Sequence, residues 1–176
     1  MQKDNLTTKI FLYISTLSGI IWLGTYVLRL SLSYQLFEQN EFVIQSNLTP
    51  ENILGFLSIF IIAVKTTSIC YLIFITSYLA FISTTKLKLK QNGWLFITTV
   101  IIFLTLPFEI YLMTIDYKII QIMSVSSFLV GDIINLIVKR FTSLNAFPLI
   151  EIFAYFSIVY FVIFQPLKMA KKQNEN

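Results

Sequence analysis

Arg29, Lys65, Glu109 and Glu151 stand one apiece inside the four most apolar stretches of the chain. Two carboxyl groups can hold a proton or a cation, and two cations can neutralise them or bind an anionic headgroup. A charge at the centre of a bilayer costs ~2.5 to 3.5 kcal/mol on insertion scales, so intramembrane ionisable residues mark function by default. Where these four fall along their helices therefore matters.

Glu109 lies 15 residues from Trp94, Glu151 lies 14 from Gln165, Arg29 lies 18 from Phe11, and Lys65 lies 18 from Ser83. At ~1.5 Å per residue these are heights of about 21 to 27 Å, just below the outer edge of a ~30 Å hydrocarbon core. Side chains lean toward their own helix N-terminus, so Arg29 on an outward-running helix leans back toward the glutamates. The spacing predicts that Arg29 pairs with one of them.

Helical spacing adds companions. Ser15, Ser18, Trp22 and Thr25 align below Arg29. Ser58, Ser68, Thr76 and Ser83 share the Lys65 face, and Thr98, Thr105 and Asp116 share the Glu109 face. Pro107 removes a backbone donor beside Glu109 and frees the carbonyl of Phe103. The candidate ligand-binding or ion-pair layer is thus Arg29, Lys65, Glu109, Glu151 and Asp116. A structural polar layer competes with this reading. Arg29 and Lys65 could snorkel to the headgroups, and a carboxylate at Glu151 favours a helix N-terminus.

Other chemistries are excluded or unsupported. The chain has no His, which removes imidazole metal sites and His-based acid–base catalysis. Its one cysteine, Cys70, lies inside a span, so no disulfide or paired-cysteine redox motif forms within one chain. Five scattered glycines build no phosphate loop. The net charge of +4 comes from residues flanking apolar runs, so a nucleic-acid partner is not expected. No catalytic residue, metal or cofactor is expected either.

The elements that must position the layer follow from composition. Hydrophobic residues make up 56% of the 176 residues and charged residues 12%, against about 25% charge in soluble domains. The length fits one domain. The fold expected is all-α, a four-transmembrane-helix bundle with spans near 10–30, 62–84, 94–113 and 147–165. Short outer loop helices are expected near 50–61 and 132–143. Thr49, Pro50 and Glu51 read as N-cap, first helical residue and first-turn acid. Apolar sequence then runs on to Ser83, about 50 Å of helix and more than a bilayer needs, so its first turns must stand outside the hydrocarbon or the helix must tilt. Residues 119–138 are apolar enough to suggest a fifth span. Gln121, three serines, Gly131 and Asp132 favour instead a surface helix capped by Asp132, with Lys139 and Arg140 on its polar side.

Eight Lys on one side, against five Lys and Arg in the spans and on the other, predict cytoplasmic N- and C-termini. The expected location is a bacterial inner membrane, with the bilayer as partner and a membrane protein or second copy as a further one. A non-enzymatic subunit or binding protein using the charged layer comes first among functions. A small transporter or channel with Glu109 and Glu151 as ion or proton sites comes second. An intramembrane enzyme comes last, since nothing supplies a nucleophile or metal.

Overall fold

In a computed structural model the described residues form five α-helices. The structure describes residues 5–38, 42–125, 129–144 and 147–167. Helix α1 spans Leu6–Leu36, α2 Pro50–Thr84, α3 Gly93–Met123, α4 Val130–Thr142 and α5 Phe147–Phe164. All but α4 are long and apolar enough to cross a membrane. Among the described residues no strand forms, only an isolated antiparallel bridge between Phe37 and Ile44. The protein is an all-α membrane bundle of four helices, as the hydropathy pattern predicts.

The order around the bundle is α1, α2, α3, α5, each running opposite to its neighbour. Helix α1 packs along most of α2, whereas α1 and α5 meet only lightly. Helix α4 lies across the outer part of α3. Three of the long helices exceed what a bilayer requires. Helix α1 continues past residue 30 to Leu36, and α3 continues past residue 113 to Met123. Helix α2 is a single rod, so the expected short helix at 50–61 and span at 62–84 are one element. Its start is as the sequence dictates: the Thr49 hydroxyl accepts from the Asn52 backbone N–H at 3.3 Å. Helix α3 runs unbroken through Pro107.

These extensions create the outer half of the fold. Leu36, Leu57, Phe60, Val64, Ile115 and Ile119 from α1, α2 and α3 form one side of a cluster that Ile133, Ile134 and Ile137 of α4 close. Helix α4 is amphipathic, with Ile133 and Ile137 buried and Asn135 exposed. At 13 residues it is a cap and not a fifth span. One expectation fails here: Leu129, not Asp132, occupies the N-cap of α4, and Asp132 sits in its first turn, where a carboxylate still favours the positive end of the helix.

Below lies a second cluster with a different composition. Trp22, Tyr71, Phe74, Tyr78, Phe81 and Tyr155 stack in the half of the bundle nearer the N-terminus. The Trp22 and Tyr155 rings meet edge-on at 4.5 Å, and Trp22 and Tyr71 are 5.2 Å apart. Gly93 opens α3 against the chain leaving α5, donating its N–H to the Leu167 carbonyl at 3.2 Å. A side chain at Gly93 would come within 2.7 Å of the Leu167 Cβ, so the approach requires glycine.

Candidate functional site

Between the two clusters lies a layer of buried ionisable groups. Its outer tier is an ion triad. Arg29 of α1 grips Asp116 of α3 with both terminal nitrogens, Nη1 to Oδ2 at 3.0 Å and Nη2 to Oδ1 at 2.5 Å. Arg140 of α4 donates from Nε to the same Oδ1 at 2.9 Å. All three residues are buried. Arg29 also lies over the Phe60 ring at 5.6 Å, and Arg140 over the Tyr26 ring at 5.5 Å. One carboxylate thus ties α1, α3 and α4 together, and a cation–π contact adds α2. The planar fork of arginine suits this geometry in a way a lysine would not. Burial works against the charge on Arg140, but Asp116, and behind it Glu109, hold its guanidinium above the ordinary arginine range.

The inner tier is an acid pair. Glu109 and Glu151 are 1% and 0% exposed. Glu109 lies seven residues before Asp116, two turns deeper on the same face of α3. Glu151 enters from the second turn of α5, beside Glu109 and the Tyr26 hydroxyl. Neither Glu151 oxygen, nor Oε1 of Glu109, nor the Tyr26 hydroxyl closes a hydrogen bond of standard geometry. Arg29 Nε and Arg140 Nη2 are also unpartnered. Buried polar atoms without partners are few in native proteins, and each calls for an explanation. Arg29 is committed to Asp116 through both Nη atoms and Arg140 through Nε alone, and among the described residues neither glutamate has an ion pair.

Beneath the acids the same helix faces carry hydroxyl groups. Thr105, four residues before Glu109, and Tyr155, four after Glu151, lie 3.1 Å apart through their hydroxyls. Tyr71 of α2 faces Tyr155.

The expected layer is therefore partly assembled and partly redrawn. Arg29, Glu109, Glu151 and Asp116 are brought together, while Ser15, Ser18, Trp22, Thr98 and Thr105 are buried on the expected faces further along the same helices. Arg29 pairs with Asp116 and not with a glutamate, because α3 continues as helix far enough to bring Asp116 level with it. Lys65 does not join them. The buried stripe of α2 runs through Val64, Thr67 and Tyr71, so Lys65, about 100° around the helix from Val64, faces outward and is exposed. Two further participants are not among the residues expected from the sequence. Tyr26 lies three residues before Arg29 on its own face. Arg140 is expected on the polar side of α4, yet it stands seven residues after Ile133 and three after Ile137, on the same buried stripe. That spacing is the signal that could have found it.

No protein family, curated protein or solved structure matches the chain. The fold and the layer together define its class, a multi-pass membrane protein of four helices with a buried ionisable centre.

Proposed function

We propose that this is a non-enzymatic membrane protein whose interior binds one exchangeable proton between Glu109 and Glu151. The observation that carries this reading is two adjacent carboxyl groups, shut away from solvent, with which no cation among the described residues forms an ion pair. Two carboxylates that share a dry site cannot both ionise cheaply, and a shared proton relieves the repulsion. Charge counting supports one proton. Arg29, Arg140 and Asp116 sum to +1, so a singly ionised glutamate pair makes the layer neutral. A metal fits less well: two carboxylates are few ligands for calcium or magnesium, which take six or more oxygens. An anionic ligand fits less well too, since both arginines already serve Asp116.

The groups facing the acid pair are Tyr26 and Arg29 from α1, Tyr71 from α2, Arg140 from α4 and Tyr155 from α5, with Asp116 of α3 beyond the two arginines. Transport of the proton is a second reading. It draws on a narrow crevice of about 10 Å³, room for at most one water, lined by Tyr26, Arg29, Ser33 and Arg140; neither glutamate lines it, and Tyr26 alone stands beside both the crevice and Glu151. The charge pattern of the loops supports cytoplasmic termini, and the Ile-, Lys- and Asn-rich composition supports a bacterial inner membrane. Labelling should find a cysteine at the exposed Gln91, in a Cys70→Ser chain, reachable only from the cytoplasmic side; outside labelling would reverse the topology.

A double-mutant cycle tests the shared proton. Glu109→Gln or Glu151→Gln alone leaves two arginines facing two carboxylates, so each should shift unfolding in detergent by no more than ~1 kcal/mol. The double variant leaves an uncompensated buried positive charge and should lose ~3 to 5 kcal/mol. Equal, additive losses from the two single variants would contradict a shared proton.

A further inference from the structure

The light contact between α1 and α5 leaves a groove of about 300 Å³ on the bundle surface, in the half nearer the N-terminus. Its walls are apolar: Leu12, Gly19 and Leu23 on α1, and Ile158 and Val162 on α5. The volume is at the lower end of the range typical of small-molecule and lipid sites. An apolar furrow between membrane helices could be filled by any hydrocarbon, but three features of this one are selective.

The first is Thr98 on the floor. It lines the groove, is 3% exposed, and its hydroxyl has no hydrogen-bond partner among the described residues, unlike the hydroxyls of Thr99 and Thr105 on the same helix. A buried hydroxyl left unpaired is destabilising, so an acceptor in the groove has something to gain there. The second is depth. Thr98 is four residues, about 6 Å, inside Trp94, an aromatic residue at the interface end of α3. That is the level at which glycerol ester carbonyls give way to chains. The third is charge. Lys9 is exposed and stands three residues before Leu12, on the same face of α1 and one turn nearer the headgroups. Lys88 and Lys90 lie on that same side of the bundle.

We propose that this groove seats one acyl chain of an anionic glycerophospholipid from the leaflet on the N-terminal side, its ester carbonyl accepting from Thr98 and its phosphate facing Lys9. The chain runs past Gly19, where the missing side chain leaves room, and ends against Tyr155 at the deep end of the groove. Glycine has a second reason to be there: a Cβ at position 19 would press on the Phe74 ring at 3.1 Å. The site is separate from the acid pair and would stand if no proton were shared there.

Native mass spectrometry of the full chain, released from nanodiscs of equal phosphatidylglycerol and phosphatidylcholine, tests the seat. The wild type should retain one phosphatidylglycerol, about tenfold in preference to phosphatidylcholine. Val159→Trp fills the groove from a lipid-facing position and should abolish retention, whereas Ile69→Trp, lipid-facing on α2, should not. Thr98→Val should weaken retention about fivefold, and Lys9→Gln should erase the headgroup preference. Equal retention of the two lipids by the wild type would overturn the proposal, as would undiminished retention in Val159→Trp. A dimer mass that Val159→Trp converts to monomer would show a second copy in the groove and would overturn it too. If Val159→Trp does not fold, unchanged binding by both Thr98→Val and Lys9→Gln overturns the proposal in its place.

Discussion

The outer and inner halves of this bundle are held together by different means. The outer cluster is mainly aliphatic, built from leucine, isoleucine and valine with Phe37 and Phe60. It surrounds an ion triad in which every member is paired, though Arg29 Nε and Arg140 Nη2 keep no partner among the described residues. The inner cluster is aromatic, rich in tyrosine and tryptophan, and contains unpaired polar atoms and a groove. Environment explains the contrast. The ends of α1, α2 and α3 that extend beyond a bilayer need water excluded, and burying aliphatic side chains there releases roughly 1.5 to 3 kcal/mol apiece. Within hydrocarbon that driving force is absent, and helices associate through close packing and hydrogen bonds instead. A half that is not squeezed by water can keep grooves and unsatisfied groups. The ionisable centre sits where one regime hands over to the other.

The triad should show the largest effect. Asp116→Leu strands two buried guanidinium groups and should cost ~3 to 5 kcal/mol in detergent unfolding. Replacing Arg29, Asp116 and Arg140 together with apolar residues should restore most of that loss, since a desolvated ion cluster often breaks even against good packing. A triple variant no better than Asp116→Leu would mean the triad contributes specific geometry that packing cannot replace.

The aliphatic cap comes next. Ile137→Ala should cost ~2 to 4 kcal/mol, while Asn135→Ala, two residues away on the exposed side, should stay within about 0.5 kcal/mol. Equal tolerance would deny that α4 is packed on the outer ends of the long helices. The inner half should be the least sensitive to a single polar deletion. Tyr155→Phe removes one hydrogen bond to Thr105 from an otherwise intact aromatic stack and should cost about 1 kcal/mol. A loss as large as that of Asp116→Leu would erase the distinction between the halves.

Much of this architecture could be read from the sequence because hydropathy and helical period are local properties. The spans, the cap helix, the Thr49 N-cap and the faces bearing Ser15, Thr98, Glu109 and Asp116 all follow from spacing. What could not be read was how far helices run beyond the membrane, and hence which charges are level. Residues 114–123 carry Asp116 and Lys118, so apolar content alone ends the span at Met113; the helix continues because α4 covers it. The pairing of Arg29 with Asp116 depends on that tertiary cover. Lys65 shows the opposite failure. Its depth matched the others, but its direction depends on one-residue helical phase, and the neighbouring Val64 took the inward position.

The most direct test of the ionisable centre is infrared difference spectroscopy of the reconstituted protein, following the stretch of a protonated carboxyl group and its shift in deuterated water. A proton shared by Glu109 and Glu151 predicts one such band in the wild type at neutral pH, lost in Glu109→Gln and lost again in Glu151→Gln because the remaining acid then ionises opposite the triad. No band in the wild type, or a band that survives in both single variants, would contradict it.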